Sequence, residues 1–194
     1  MNTPASPSDD RYLPTWLNIL GLLGICAGLG VAFYYQLVLF DLPCPLCLLQ
    51  RVGMILIGMG FFLNLRLGIR NIHYGLALIG SVTTAAIGMR QVLLHIRPDD
   101  AGYGEVFVGL HFYTWAVLAS VVAILGIAVM LMLESRASVT RPRGPDAFTT
   151  GMARVALGVF VLLIAGNLVS TLLECGPGAC ADDPVSYEWL RARP

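Results

Sequence analysis

Charged residues divide this chain into long stretches that carry none. No Asp, Glu, Lys or Arg falls between Arg11 and Asp41, between Arg70 and Arg90, between Glu105 and Glu134, or between Arg154 and Glu174. Each stretch reaches roughly the 20 residues that a helix rising about 1.5 Å per residue needs to cross a hydrocarbon core. A further apolar stretch, 47–65, is interrupted near its start by Gln50 and Arg51 and reads as a span with a polar entrance. The pattern predicts five helices, at about 13–40, 47–65, 71–89, 110–133 and 155–173. These account for nearly the whole chain. The expectation is therefore an all-α, polytopic membrane helical bundle forming one membrane domain over 1–194, with 1–12, the loop 134–154 and the tail 174–194 outside the hydrocarbon.

Composition strengthens this reading. Hydrophobic residues make up 57% of the chain against 12% charged, with a mean hydropathy of +0.75, more apolar surface than a soluble domain of this size can bury. The first helix is too long for a secretory signal, Asp9 and Asp10 spoil a basic leading region, and no A-x-A site follows, so it is expected to stay in the mature protein. The net charge is zero, but its placement orients the chain, since there is no Lys and all 12 basic residues are Arg. With a cytoplasmic N-terminus, Arg11, Arg66, Arg70, Arg136, Arg141, Arg143 and Arg154 fall on the inner side. Arg51, Arg90, Arg97, Arg191 and Arg193 fall on the outer side, and the rule that arginines collect inside favours this orientation. The run Arg141-Pro142-Arg143-Gly144-Pro145 then reads as part of a cytoplasmic loop, and no nucleic-acid partner is expected.

In this orientation Cys44, Cys47, Cys175 and Cys180 all face the outer compartment, where disulfides persist. Cys26 stands alone among Gly, Leu and Ile in the first helix and reads as packing. The segment Pro43-Cys44-Pro45-Leu46-Cys47-Leu48-Leu49-Gln50-Arg51 sets a C-x-x-C at a helix start, where free backbone N–H groups and the helix dipole favour a thiolate at Cys47. Arg51 lies one turn deeper on the same face, where a thiolate or an anionic ligand would partner a costly cation. Cys175 and Cys180 flank Gly176-Pro177-Gly178, strong turn chemistry that can bring two thiols within disulfide reach on an exposed segment. Three readings stand beside one another: redox-active pairs exchanging electrons by thiolate attack, structural disulfides with Arg51 reaching headgroups, or a closed four-sulfur zinc site. The redox reading is adopted and no metal is expected. Asp182, Asp183, Tyr187 and Trp189 read as an acidic tail with aromatic anchors on the outer interface.

Cys44-Pro-Leu-Cys47-Leu-Leu-Gln-Arg51 resembles the C-x-x-C of the DsbB family, with its Arg four residues after the second cysteine. The helix order, and Gly109-Leu110 followed by Trp115, add to the resemblance, which covers about 13–133. It implies a four-helix redox core, here with a fifth helix added, in a bacterial inner membrane with both cysteine pairs on the periplasmic side. It also implies a quinone, ubiquinone or menaquinone, beside Cys47. Carried over, Cys44 and Cys47 are catalytic, Arg51 holds the quinone oxygen or the thiolate, and Arg90, Gln91, His95 and Trp115 lie where family members approach the quinone. Family members carry their second cysteine pair between helices three and four; here 95–109 has no cysteine, and Cys175 and Cys180 follow the fifth helix instead.

The implied activity is that of a quinone-dependent protein thiol oxidase. A periplasmic DsbA-like dithiol protein reduces Cys175–Cys180, that pair reduces Cys44–Cys47, and the membrane quinone pool takes the electrons, supporting disulfide bond formation. A vitamin K epoxide reductase-like quinone and thiol oxidoreductase would use similar residues. A membrane scaffold or transporter braced by structural disulfides is the non-enzymatic alternative, although transport would favour charged or broken helices at mid-membrane.

Overall fold

The computed structural model describes residues 13–137 and 147–190. Its elements are α1 (Leu13–Val38), α2 (Pro45–Leu67), α3 (Asn71–Leu94), the two-residue strands β1 (Val106–Phe107) and β2 (Leu110–His111), α4 (Phe112–Ala137) and α5 (Ala147–Cys175). All five helices are long and apolar enough to cross a membrane, and the chain is a multi-pass helical membrane protein. Arg11, Arg141, Arg143, Arg191 and Arg193, on which part of the expected orientation rests, lie outside the described residues.

Helix boundaries depart from the hydropathy pattern where chain chemistry overrides it. α2 starts at Pro45, whose fixed φ suits a first helical position, and extended Cys44 caps it by accepting from the Cys47 N–H at 3.1 Å. α1 ends where Phe40 turns left-handed (φ 59°) and Asp41 N bonds back to the Tyr35 carbonyl at 3.1 Å. α3 runs on past Met89 to Leu94, and α5 begins at Ala147 instead of 155, so Arg90 and Arg154 are helical. The stretch expected to open the fourth helix is instead a hairpin. Val106 pairs with His111 and Phe107 with Leu110, across a turn whose central residues Val108 and Gly109 both have positive φ, 49° and 80°. That twist is the one a two-residue hairpin turn requires.

Small residues let the helices approach. A Cβ on Gly80 of α3 would come within 2.7 Å of the Ile57 nitrogen of α2, one on Gly60 within 2.5 Å of the His73 carbonyl, and one on Gly88 within 3.0 Å of the Tyr113 carbonyl of α4. Lipid offers no hydrophobic drive between helices, so such backbone contact does much of the holding. Leu22, Ile25, Leu29, Ile57, Phe61, Tyr74, Ile127 and Phe160 fill the core, while Leu20, Ile79, Val82, Leu125 and Leu162 point outward as a lipid-facing surface. At the end away from the cysteines, Asn64 donates to Asn18 Oδ1 at 2.9 Å and accepts from the Arg70 N–H at 3.1 Å. Asn18 in turn donates to the Tyr74 hydroxyl at 2.8 Å, closing a buried polar knot across α1, α2 and α3.

Gly80→Val is expected to lower the stability of the purified protein by about 1–3 kcal/mol through overpacking. Gly24→Ala, where a Cβ meets nothing within 4 Å, leaves it unchanged. Thermal unfolding in detergent checks this, and equal melting of the two variants would disprove the close α2–α3 approach.

Candidate functional site

The C-termini of α1, α3 and α5, the start of α2 and the hairpin before α4 gather at one end of the bundle, and both disulfides lie there. Cys44 and Cys47 are bonded with Cα atoms 5.0 Å apart, and Cys175 and Cys180 with Cα atoms 4.3 Å apart. Cys26 is free and buried in the core, as its surroundings in the sequence suggest.

Two glutamines organise the first pair. Gln91 of α3, 1% exposed, directs its amide nitrogen to Cys44 Sγ at 3.4 Å and Cys47 Sγ at 3.7 Å, and its oxygen accepts from Gln50 Nε2 at 2.7 Å. Cys44 is buried, whereas Cys47 is partly exposed and opens into a cavity of about 230 Å³. Aromatic side chains wall the cavity. Tyr35 meets Phe112 edge to face at 4.7 Å, Phe107 stacks on Phe112 at 6.1 Å, and Trp115 donates from Nε1 to the Phe107 carbonyl at 2.8 Å. Arg51 supplies the cavity's cation. Among the described residues its hydrogen bonds go to neutral acceptors on α1. Nη1 donates to Gln36 Oε1 at 2.6 Å, Nη2 to the Ala32 carbonyl at 3.2 Å, and the guanidinium carbon lies 5.5 Å from the centre of the Phe33 ring.

The hairpin segment clasps the cavity to the first loop. Tyr103 donates to the Leu42 carbonyl at 3.0 Å, and the Glu105 N–H donates to Asp41 Oδ2 at 3.1 Å. Burial, with Asp183, Asp41 and Glu174 adding, pushes the Tyr103 phenol from 10.0 up to about 12.

Of the residues placed near the quinone by resemblance, Trp115 and Arg51 line the cavity and Arg90, Gln91 and His95 do not. Arg90 is exposed on the continued α3 helix. His95 caps α3, bonds Asp100 at 3.0 Å and stacks on Tyr113 at 5.8 Å, so its ring serves the loop and not the cavity. The Gly102 N–H and His95 together hold the Asp100 carboxyl below its ordinary range.

Over its described residues, 176–190, the tail folds back on the bundle. The Glu188 N–H donates to the Glu174 carbonyl at 3.3 Å and the Trp189 N–H to the Leu173 carbonyl at 3.1 Å, folding the chain back on the end of α5. Cys175 is buried and Cys180 half-buried, so the exposed disulfide expected from the Gly-Pro-Gly turn is open at one sulfur only. Tyr187, expected as an interfacial anchor, turns inward to Gln36, while Trp189, Asp182 and Asp183 remain exposed. Gln36 escaped the sequence reading altogether. Its signal was an amide within a charge-free apolar run, where a polar side chain needs a buried partner.

A family model described as "Disulfide bond formation protein DsbB" matches residues 14–102, ending before α4 and before the second cysteine pair. Proteins named "Disulfide bond formation protein B" are similar to this chain. The one from Chromobacterium violaceum is 33% identical over 108 residues, 50% of this chain and 63% of the relative. That from Nitrosospira multiformis is 40% identical over 86 residues (42% and 51%), and that from Nitrosomonas eutropha 42% identical over 100 (46% and 62%). The chain thus spans between half and two thirds of the length of these relatives. No solved structure matches it.

The clasp yields a pH prediction. A phenol raised from 10.0 to about 12 by folding contributes stability that is whole below pH 10 and is lost as pH rises through about 12. An alkaline titration followed by phenolate absorbance should show one tyrosine ionising near pH 12 that is missing from Tyr103→Phe; identical curves would mean the phenol is not held under the loop.

Proposed function

We propose that this chain, whose residues 14–102 match the DsbB family model, is a DsbB-like, quinone-linked protein thiol oxidase of a bacterial inner membrane, with both cysteine pairs on the periplasmic side. One observation carries the reading: the Cys47 side of the Cys44–Cys47 disulfide opens into an apolar, aromatic-walled cavity whose cation is the buried Arg51. At about 230 Å³ the cavity exceeds the roughly 150 Å³ that accepts a benzene ring. It therefore suits a substituted six-membered ring, with the guanidinium placed for a ring oxygen. A quinone bound there supplies a two-electron acceptor that becomes quinol with two protons.

The chain's own residues supply the thiol chemistry. A DsbA-like dithiol protein would be oxidised to its disulfide as Cys175–Cys180 is opened to two thiols, with first attack favoured at the more exposed Cys180. The tail thiols would regain their disulfide as Cys44–Cys47 is reduced, and Cys47, facing the cavity, gives up the electron pair as Cys44–Cys47 re-forms. Gln91 bridges both sulfurs and keeps them aligned, while Arg51 favours negative charge developing at the cavity. Cys44 is 5% exposed, so an attacking thiolate reaches it only when the covering loops move.

Purified protein in lipid nanodiscs, given a short-chain quinone and a reduced soluble dithiol protein, should form one quinol per disulfide. Arg51→Ala should raise the quinone KM about 10- to 100-fold, the value of a hydrogen bond to a charged group, with Arg51→Lys in between because it lacks the planar fork. An unchanged KM in Arg51→Ala would sink this assignment. Changing Cys175 and Cys180 together to Ser should stop turnover of the dithiol protein while quinone still oxidises Cys44 and Cys47. Parental turnover in that double variant would reduce the tail disulfide to a structural clip.

A further inference from the structure

Gln36 stands near the end of α1, is 1% exposed, and joins two parts of the molecule that are distant in sequence. Its amide oxygen accepts from Arg51 Nη1 at 2.6 Å. Its nitrogen faces Ser170 Oγ at 2.6 Å, Glu174 Oε2 at 3.2 Å and the Tyr187 hydroxyl at 3.3 Å. A guanidinium only donates, so the side chain that meets it must accept; the amide oxygen of Gln36 does so, and its nitrogen is left to donate toward the oxygens of Ser170, Glu174 and Tyr187. A glutamine amide does this without adding charge. Glu174 is itself 3% exposed, and among the described residues its Oε1 has no hydrogen-bond partner, which leaves the amide as its tie to the α1–α2 side. None of Gln36, Ser170, Glu174 and Tyr187 lines the cavity.

We propose that Gln36 is a positioning residue that holds the Arg51 guanidinium at the cavity wall, and that it is itself held by the C-terminal segment through Ser170, Glu174 and Tyr187. Residues 32, 33 and 36 lie about one helical turn apart on α1 and meet the guanidinium with a carbonyl, a ring face and an amide oxygen. The amide is held from behind by Ser170, Glu174 and Tyr187. The segment that carries Cys175 and Cys180 thereby supports the cavity's cation, and α5 contributes to ligand binding without touching the ligand. This inference rests on the quinone reading of the cavity.

The test uses the full chain in nanodiscs and a short-chain benzoquinone, with equilibrium binding followed by quenching of Trp115 fluorescence beside steady-state turnover. Gln36→Leu should weaken binding and raise KM by about tenfold or more, the loss of one charge-assisted hydrogen bond, while kcat at saturating quinone stays within about twofold. Oxidation of Cys44 and Cys47 in the isolated variant reports that it has folded. Gln36→Glu keeps an acceptor for Arg51 but sets two carboxylates face to face, and should also weaken binding. Adding Glu174→Gln restores a donor opposite an acceptor and should recover most of that loss, a rescue that a merely space-filling role does not produce. If the parent binds quinone and both Gln36 variants bind it equally well, the positioning role is overturned and the quinone reading stands. If Gln36→Leu does not fold, the Gln36→Glu and Glu174→Gln pair decides alone, and absence of rescue overturns the proposal. A parent chain that binds no quinone overturns the reading of the cavity and this inference with it.

Discussion

A guanidinium buried between helices must find its acceptors in the protein, because hydrocarbon supplies none. In this chain that constraint organises the cysteine end of the bundle. Arg51 enters from α2 and takes a carbonyl, a ring face and an amide oxygen from α1. The amide that serves it must place its own donor elsewhere, and the elsewhere is α5 and the tail. One buried cation thus links α2 to α1 and α1 to α5. Breaking any contact in that series leaves a polar group in a low-dielectric interior, where an unpaired partner costs more than the pair contributed.

The same economy of polar groups appears around the first disulfide. Cys44 is a helix cap and a redox candidate at once, its sulfur accepting from the Cys47 N–H in the position Ser or Asp usually occupies. Opening the disulfide would change the charge and reach of that cap as well as its bonding. Gln91 and Gln50 then act as a neutral bracket, able to meet the pair from either its donor or its acceptor end. The cavity beyond is walled mostly by apolar and aromatic side chains, with Arg51, Asp41 and Gln50 also lining it, a setting in which charge acts strongly on whatever ring occupies it.

Support for this site comes from two kinds of packing. Glycine contacts bring the α2 and α3 backbones together and hold α3 against α4, so that Gln91 reaches the sulfurs across a narrow gap. Loop contacts close the cysteine end, where the hairpin and Tyr103 fasten the α3–α4 loop over the α1–α2 loop. The family match stops at residue 102, before the hairpin, α4 and α5. The tail disulfide and its link to Gln36 lie outside the matched segment.

The five helices, the membrane setting and the C-x-x-C at the head of α2 were legible in the chain alone, because hydropathy over some 20 residues, Pro45 at a helix start and the spacing of Cys44 and Cys47 are local signals. The hairpin was not, since its two-residue strands are too short for any period to show and its turn carries Val108 at positive φ, a residue that propensity argues against. Arg51 announced itself as an expensive charge, but its partners did not, because Gln36 lies 15 residues away on another helix and the tail groups 134 and more beyond Gln36. His95 and Arg90 looked equivalent to Trp115 in sequence and were separated only by which way α3 and α4 turn their side chains. The sequence by itself determined which segments enter the membrane and which cysteines can pair. Only the packed structure decided which polar groups meet inside it, since each such meeting depends on the rotation and close approach of helices that sequence neighbours do not encode.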